Sequence, residues 1–154
     1  MGRLILVACA LPALVVVGSA SATIVPQRGI GGVTLGMPQA KVRAVRGTPV
    51  KVRRARNEFG RYTVYRYRGL VVTFQGNANV TSLTTSSRLE RTRKGVGVGS
   101  TEGQVRAGVR GARCRTESGV RHCFLGAFLP GRRVTDFFLK RGRVSRVDVG
   151  FVID

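Results

Sequence analysis

The stretch GVTLGMPQAKVRAVRG (residues 32–47) is followed about sixty residues later by a near copy, GVGVGSTEGQVRAGVRG (residues 95–111). In each copy a glycine turn precedes valines three or four residues apart, Val42 with Val45 and Val105 with Val109. Apolar residues at this spacing share one face of a helix, and a following glycine is a helix stop signal. The repeated phrase therefore predicts two short helices, the second with Ser100 as its N-cap. Its glycines and valines indicate a structural role more than a binding site.

Runs of residues typical of β-strands follow each predicted helix. In the first half they are RYTVYRY (61–67), GLVVTFQ (69–75) and VTSLTTS (80–86); in the second they are RHCFLGAF (121–128), VTDFFLK (134–140) and VSRVDVGFV (144–152). Short turns between successive strands favour antiparallel pairing. The motif F-x5-V-[TS]-x-[LV] begins at Phe74 and again at Phe138. We expect an α+β fold of two tandem repeats, each a short helix packed on a three- to four-stranded antiparallel meander.

Residues 1–22 have the pattern of a secretory signal peptide. A short basic start that includes Arg3 precedes an uncharged apolar run, and Ala20 and Ala22 form an A-x-A site. We predict cleavage after Ala22; an uncleaved anchor and lipidation at Cys9 remain alternatives. The predicted organisation is a signal peptide at 1–22, a first repeat at 23–88 and a second repeat at 89–154. The expected location is outside the cytoplasm, secreted or associated with the cell envelope.

Cleavage of the signal peptide leaves two cysteines, Cys114 and Cys123. Disulfides persist in exported proteins, so we expect these residues to form one in the second repeat. Two free thiols are the alternative. We expect no metal, because His122 adjoins Cys123 and no C-x-x-C pair occurs.

The chain is strongly basic, with 27 Lys and Arg against 7 Asp and Glu and a formal net charge of +20. Such a surface attracts anionic partners such as acidic proteins, lipid headgroups, wall polymers or nucleic acid. Biased coding is the alternative explanation, because the basic residues are spread along the chain. We expect a protein or anionic envelope component as the partner and allow peripheral membrane contact. Export argues against nucleic acid, and the sequence indicates no small-molecule substrate.

Candidate binding residues lie where aromatic and basic side chains alternate or where an arginine recurs. Tyrosine and arginine are enriched at interface hot spots. Packing of one tyrosine face and solvation of the arginines is the alternative. The candidates are Tyr62, Tyr65, Arg66, Tyr67 and Arg68 in the first repeat, the repeated helix residues Arg43 and Arg106, and Arg143 and Arg146 in the last strand.

The sequence indicates neither an enzyme nor a cofactor. Catalysis needs convergent titratable groups, and the acidic residues show no spacing typical of a carboxylate pair. We interpret His122 as a polar strand residue, although it could serve as a general base. Asp136, in an otherwise apolar strand, is expected to pair with an arginine or to end the strand. The glycine-rich phrase before the second helix lacks the Lys-Ser/Thr of a phosphate-binding loop.

The turn and strand motifs resemble those of a known family. The residues that carry the resemblance are Gly36, Met37, Val42, Gly47, Pro49, Tyr65, Tyr67, Val72, Phe74, Val80 and Leu83. In this pattern the chain resembles the domain of the BamE/SmpA/OmlA envelope lipoproteins, and two such units with a disulfide resemble the β-lactamase-inhibitor protein. The chain lacks a convincing lipobox, and the inhibitor's contact residues have no counterpart here. The resemblance implies an exported binding module.

Three functions remain open from the sequence. We expect a secreted, non-enzymatic module that recognises a protein or envelope component through its sheet face. The alternatives are a cationic envelope protein held to anionic lipid or wall polymer by charge, and an inhibitor of a secreted enzyme. Binding held by charge alone should weaken between low and moderate salt, whereas a shape-complementary complex should persist.

Overall fold

A computed structural model describes residues 23–153, so the predicted signal peptide and its cleavage after Ala22 lie outside the described residues. The fold is α+β, with two helices and two antiparallel sheets. The helices are α1 (Gln39–Arg46) and α2 (Glu102–Gly108). The strands are β1 (Ile24–Val25), β2 (Gly29–Ile30), β3 (Val33–Thr34), β4 (Lys51–Asn57), β5 (Gly60–Tyr67), β6 (Leu70–Gln75), β7 (Ser82–Thr85), β8 (Arg113–Glu117), β9 (Val120–Leu125), β10 (Arg133–Lys140) and β11 (Arg143–Phe151).

One continuous sheet of eight strands forms the body of the protein, in the order β4-β5-β6-β7-β11-β10-β9-β8. Each half contributes a helix followed by a four-strand meander, and the halves meet where the last strands pair. Leu83 lies opposite Val149, and Thr85 opposite Val147. The sheet is therefore larger than the separate three- to four-stranded units expected from the sequence. The predicted boundary at residues 88 and 89 falls in the loop between β7 and α2.

The two edge strands, β4 and β8, were not predicted from the sequence. Their residues, KVRRARN and RCRTE, are mostly exposed and lack apolar alternation. Charged residues on an edge strand discourage pairing with other chains. Each of these strands forms because a short turn joins it to an apolar neighbouring strand. The residues of the edge strand itself show no apolar period from which it could be predicted.

A small sheet of β1, β2 and β3 was also not predicted. Its strands have only two residues each, too few to show a period in the sequence. Ile24, Ile30 and Val33 are fully or almost fully buried in the core. The sheet packs against β7 and so covers the junction of the two halves.

Both helices bury one valine in the core, and their details differ from the sequence-based expectation. Val42 and Val105 are fully buried, as the spacing predicted. Val45 is 44% exposed, so α1 buries only the first of the two valines that the spacing predicted. The N-cap of α2 is Thr101, not Ser100, and its hydroxyl accepts from the Gln104 amide in a capping box.

The predicted equivalence of Phe74 and Phe138 is wrong. Phe74 is fully buried in the core, whereas Phe138 is half-buried on the opposite face of the sheet. Phe137 points to the core instead and pairs with Val147. A one-residue shift in a strand moves every side chain to the other face. Val72 pairs with Leu83, and Phe137 pairs with Val147. An alignment that matches Leu83 with Val147 at an offset of 64 is therefore one residue out in β10. The tandem repeat itself stays a prediction.

Among residues 23–153, no helix is both long enough and apolar enough to cross a membrane.

Candidate functional site

The helices and the small sheet cover one face of the large sheet, and its other face, here called the outer face, carries the candidate site. In the second half of the sheet, phenylalanine rings and arginine guanidinium groups stack on each other across β8 to β11 and the loop after β9. We call these residues the outer-face cluster: Phe124, Phe128, Phe138, Arg113, Arg115 and Arg146.

Arginine–aromatic stacking holds the outer-face cluster together. The Arg115 guanidinium carbon lies 4.8 Å from the ring centre of Phe124 and 5.5 Å from that of Phe128. Arg146 lies 3.9 Å over Phe138. Such cation–π contacts are favourable and keep the guanidinium groups in place. Phe128 remains 42% exposed, so the cluster presents apolar and cationic surface together.

A buried His–Asp pair lies beneath the outer-face cluster. Nδ1 of His122 lies 2.8 and 2.9 Å from the two carboxylate oxygens of Asp136. The His122 and Asp136 side chains are only 6% and 8% exposed. The His122 ring stacks on Phe138, with 5.9 Å between ring centres. Burial raises the pKa of Asp136, and the bonded imidazole opposes this shift.

A second acidic side chain adjoins this pair. Asp148 lies directly opposite Asp136 across the β10–β11 ladder. Burial raises the pKa of Asp148 as well, and the neighbouring Asp136 charge adds to the effect. Arg146 Nε lies 3.3 Å from Asp148 Oδ1, an ion pair without hydrogen-bond geometry. The outer face of this basic protein therefore contains a local cluster of acidic groups.

A cleft of about 270 Å³ opens beside His122. Nε2 of His122 is buried and has no hydrogen-bond partner in the described chain. The Glu117 carboxylate is 3.6 Å from this atom and 2.7 Å from Arg115 Nη2. The lining residues are Glu117, Val120, His122, Phe128, Asp136 and Phe138.

The disulfide between Cys114 and Cys123 is confirmed, and it positions the site. The two cysteines are direct cross-strand partners in β8 and β9. Cys123 is fully buried on the core side. Because side chains alternate along a strand, the neighbouring His122 points to the outer face. Glu102 lies near both sulfurs, but disulfide sulfurs offer no thiolate for a metal.

The tyrosine-rich strand β5 divides its side chains between the two faces. Tyr65 is only 1% exposed, so the expectation that it contributes to a binding surface is wrong. Its hydroxyl bonds to Gln39. Tyr67 lies on the same side, its hydroxyl bonds to the Gly47 carbonyl oxygen, and burial raises its pKa. Tyr62 and Arg66 lie on the outer face, and Arg68 is exposed in the following turn.

The remaining predicted arginines are scattered over the molecule. Arg43 stacks over Tyr65 and donates to its hydroxyl, so it holds α1 on the sheet. Arg106 pairs with Glu102 within α2. Arg143 donates to the Gly99 carbonyl oxygen. Of the predicted binding residues, only Arg146 belongs to the outer-face cluster.

The sequence interpretation missed the site residues His122, Asp136 and Phe128 as a group. Asp136 pairs with His122 rather than with an arginine, and it lies in the middle of β10 rather than at its end. One feature of the sequence could have indicated the pairing of His122 with Asp136. An acid and a histidine in two successive apolar strands, each flanked by core residues, both point outward by alternation. Phe128 gave no signal, because it lies in a loop.

The hydrogen bonds of His122 within residues 23–153 go to Asp136 alone, and no Ser, Thr or Cys side chain bonds to the ring. A histidine oriented by a carboxylate can accept or donate a proton. Nucleophilic catalysis also requires an activated nucleophile within reach. The Nε2 atom, unpartnered among these residues, and the phenylalanine rings beside it offer a ligand a hydrogen-bonding position and a stacking surface.

No protein-family model matches the chain, and no curated protein matches it. The comparison with solved structures found two similar proteins. An extracellular protein containing a SCP domain, from Bacillus anthracis, has a TM-score of 0.51 and 7% identity over 76% of this chain. A DUF4309 family protein (YjgB) from Bacillus subtilis has a TM-score of 0.49 and 14% identity over 86% of this chain and 90% of its own. This chain spans 44% of the length of the SCP-domain protein. At this level of identity the comparison with the SCP-domain protein establishes a likeness of fold alone.

Proposed function

We propose that this protein is an exported, non-enzymatic binding module that holds a partner protein of the cell envelope against the outer face of its sheet. One observation carries the proposal: phenylalanines and arginines stack on a sheet face that the helices leave uncovered. Aromatic and arginine side chains contribute most at interface hot spots, and here they are already held in place, which reduces the entropy lost on binding.

Export is part of the proposal. The signal-peptide pattern at residues 1–22 and the Cys114–Cys123 disulfide support it. We also infer that the two halves arose by duplication of a BamE-like unit. Supporting this inference, each half is a helix followed by four strands, and Val42 and Val105 are buried alike.

A second function is favoured by a different surface. Edge strand β4 exposes Lys51, Arg53, Arg54 and Arg56. Such a strip would hold the protein to anionic lipid or wall polymer by charge. Attachment of this kind depends on ionic strength, because at 0.1 M salt the attraction between exposed charges is largely screened beyond roughly 10 Å.

Site-specific photocrosslinking tests the proposal. A photoreactive residue at Phe128 should trap one partner from envelope fractions. The crosslinking yield should be similar when irradiation is carried out at about 0.05 M and at about 0.5 M salt. The same residue at Val50, which is 76% exposed in the first half, is the matched control. Equal crosslinking at both positions, lost at the higher salt, would contradict the proposal and favour attachment by charge.

A further inference from the structure

The Nε2 atom of His122 has no hydrogen-bond partner among the described residues. Nδ1 lies within hydrogen-bond distance of both carboxylate oxygens of Asp136. A carboxylate accepts hydrogen bonds, so Nδ1 carries a proton and donates to Asp136. In the tautomer with its single proton on Nδ1, the ring presents a lone pair at Nε2. That atom is buried, and no side chain of the described residues donates to it. A buried acceptor left unpaired costs stability unless a ligand or solvent supplies the donor.

The walls of the cleft beside Nε2 are apolar and aromatic. Phe138 stacks with the imidazole at 5.9 Å between ring centres, and Phe128 lies 6.2 Å from it. Val120 and Phe128 are 46% and 42% exposed, so the cleft is open to a partner. Its volume of about 270 Å³ accommodates a six-membered aromatic ring.

Each carboxylate around the cleft has a nearby partner, which is Arg115 for Glu117, His122 for Asp136 and Arg146 for Asp148. Glu117 is paired with Arg115 at 2.7 Å, and Arg146 lies between Phe138 and Asp148. An anion entering the cleft would meet the carboxylates of Glu117 and Asp136, and a cation would approach a chain of net charge +20. An uncharged ligand with one hydrogen-bond donor and a flat apolar body complements this site.

We propose that the cleft binds a phenol group, whose hydroxyl donates to Nε2 of His122 while its ring packs between Phe128 and Phe138. Tyrosine combines this apolar ring with a single polar group and is enriched in interface hot spots. The phenol is therefore a tyrosine side chain of the partner protein. This assignment of the ligand rests on the proposed function.

Ligand titration followed by NMR tests the proposal. The chain contains one histidine, so its imidazole nitrogen signals belong to His122 and only Nδ1 and Nε2 must be distinguished from each other. The probes are p-cresol, toluene, which lacks the hydroxyl, and benzylamine, which is cationic. We expect p-cresol to shift the Nε2 signal of His122 and to bind about five- to tenfold more tightly than toluene, the effect of one hydrogen bond. Benzylamine should bind more weakly than p-cresol.

A pair of loop variants locates the binding. Phe128→Ala should weaken p-cresol binding about tenfold or more. Leu129→Ala is the matched control, because Leu129 adjoins Phe128 on the same exposed loop but does not line this cleft. Equal binding of toluene and p-cresol, tighter binding of benzylamine, or an unmoved Nε2 signal would each overturn the proposal. If one of these results is obtained and a partner is still crosslinked at position 128, the proposed function stands and the tyrosine ligand is rejected.

Discussion

Asp136 and Asp148 lie directly opposite one another on β10 and β11, and burial raises the pKa of both. Like charges at opposed positions of a sheet are destabilising. Asp136 has a buried hydrogen-bond partner, His122, whereas the charged partner of Asp148 is the half-exposed Arg146. The arrangement lowers the stability of the fold and concentrates polar groups beneath the outer-face cluster, as at a binding site.

Replacement of Asp148 with asparagine should stabilise the protein at neutral pH. Because the folded-state pKa of Asp148 is raised, its ionised form is disfavoured in the folded state. We expect Asp148→Asn to increase the free energy of unfolding by about 1 kcal/mol. The gain should shrink as the pH falls through the raised pKa towards the ordinary value of 3.8, since protonated Asp148 carries no charge. Urea denaturation across this pH range measures the effect; a gain that does not change with pH would contradict it.

Removal of His122 should be strongly destabilising. His122→Ala leaves the Asp136 carboxylate buried without its partner, which costs about 3 kcal/mol. The double variant His122→Ala/Asp136→Asn removes that charge and should recover part of the loss. Chemical denaturation of His122→Ala, Asp136→Asn and the double variant gives a double-mutant cycle, which measures the interaction energy of the two side chains. Additive losses would show that the two side chains act independently.

Glu102 should stabilise the protein only when it is ionised. Hydrogen bonds from Arg121 and Arg106 lower its pKa to about 2. Its contribution is therefore present above the ordinary pKa of 4.5 and is lost as the pH falls through about 2. We expect Glu102→Gln to cost about 0.5–1 kcal/mol at pH 7, because solvent screens the pairs. Thermal melts should show the difference disappearing in acid. Glu58→Gln, in the exposed β4–β5 turn, is the control and should have little effect.

The two adjacent phenylalanines of β10 should respond differently to truncation. Phe137 is fully buried in the core, so Phe137→Ala should cost about 3–5 kcal/mol. Phe138 is half-buried under Arg146, so Phe138→Ala should cost much less and should instead weaken binding at the outer face. Denaturation and the p-cresol titration measure the two effects. A larger loss of stability from Phe138→Ala would show that the faces of β10 are reversed.

Much of the local structure could be predicted from the sequence. The helices around Val42 and Val105, six of the long strands and the disulfide all follow from spacing and composition. The edge strands β4 and β8 could not be predicted, because charged, exposed residues carry no apolar period. Tyr65 looked like a surface residue among arginines, yet the twofold alternation of β5 places it in the core.

The sequence by itself determined the two helices, six of the eight strands of the large sheet and the order of these elements, because they follow periods of two and 3.6 residues along the chain. Tertiary structure decided which side chains meet across strands. His122 and Asp136 come together through the pairing of β9 with β10, and the register of β10 against β11 shifts between Phe138 and Leu139. Register depends on turn length and on packing of one whole face, and no single segment of the chain contains that information.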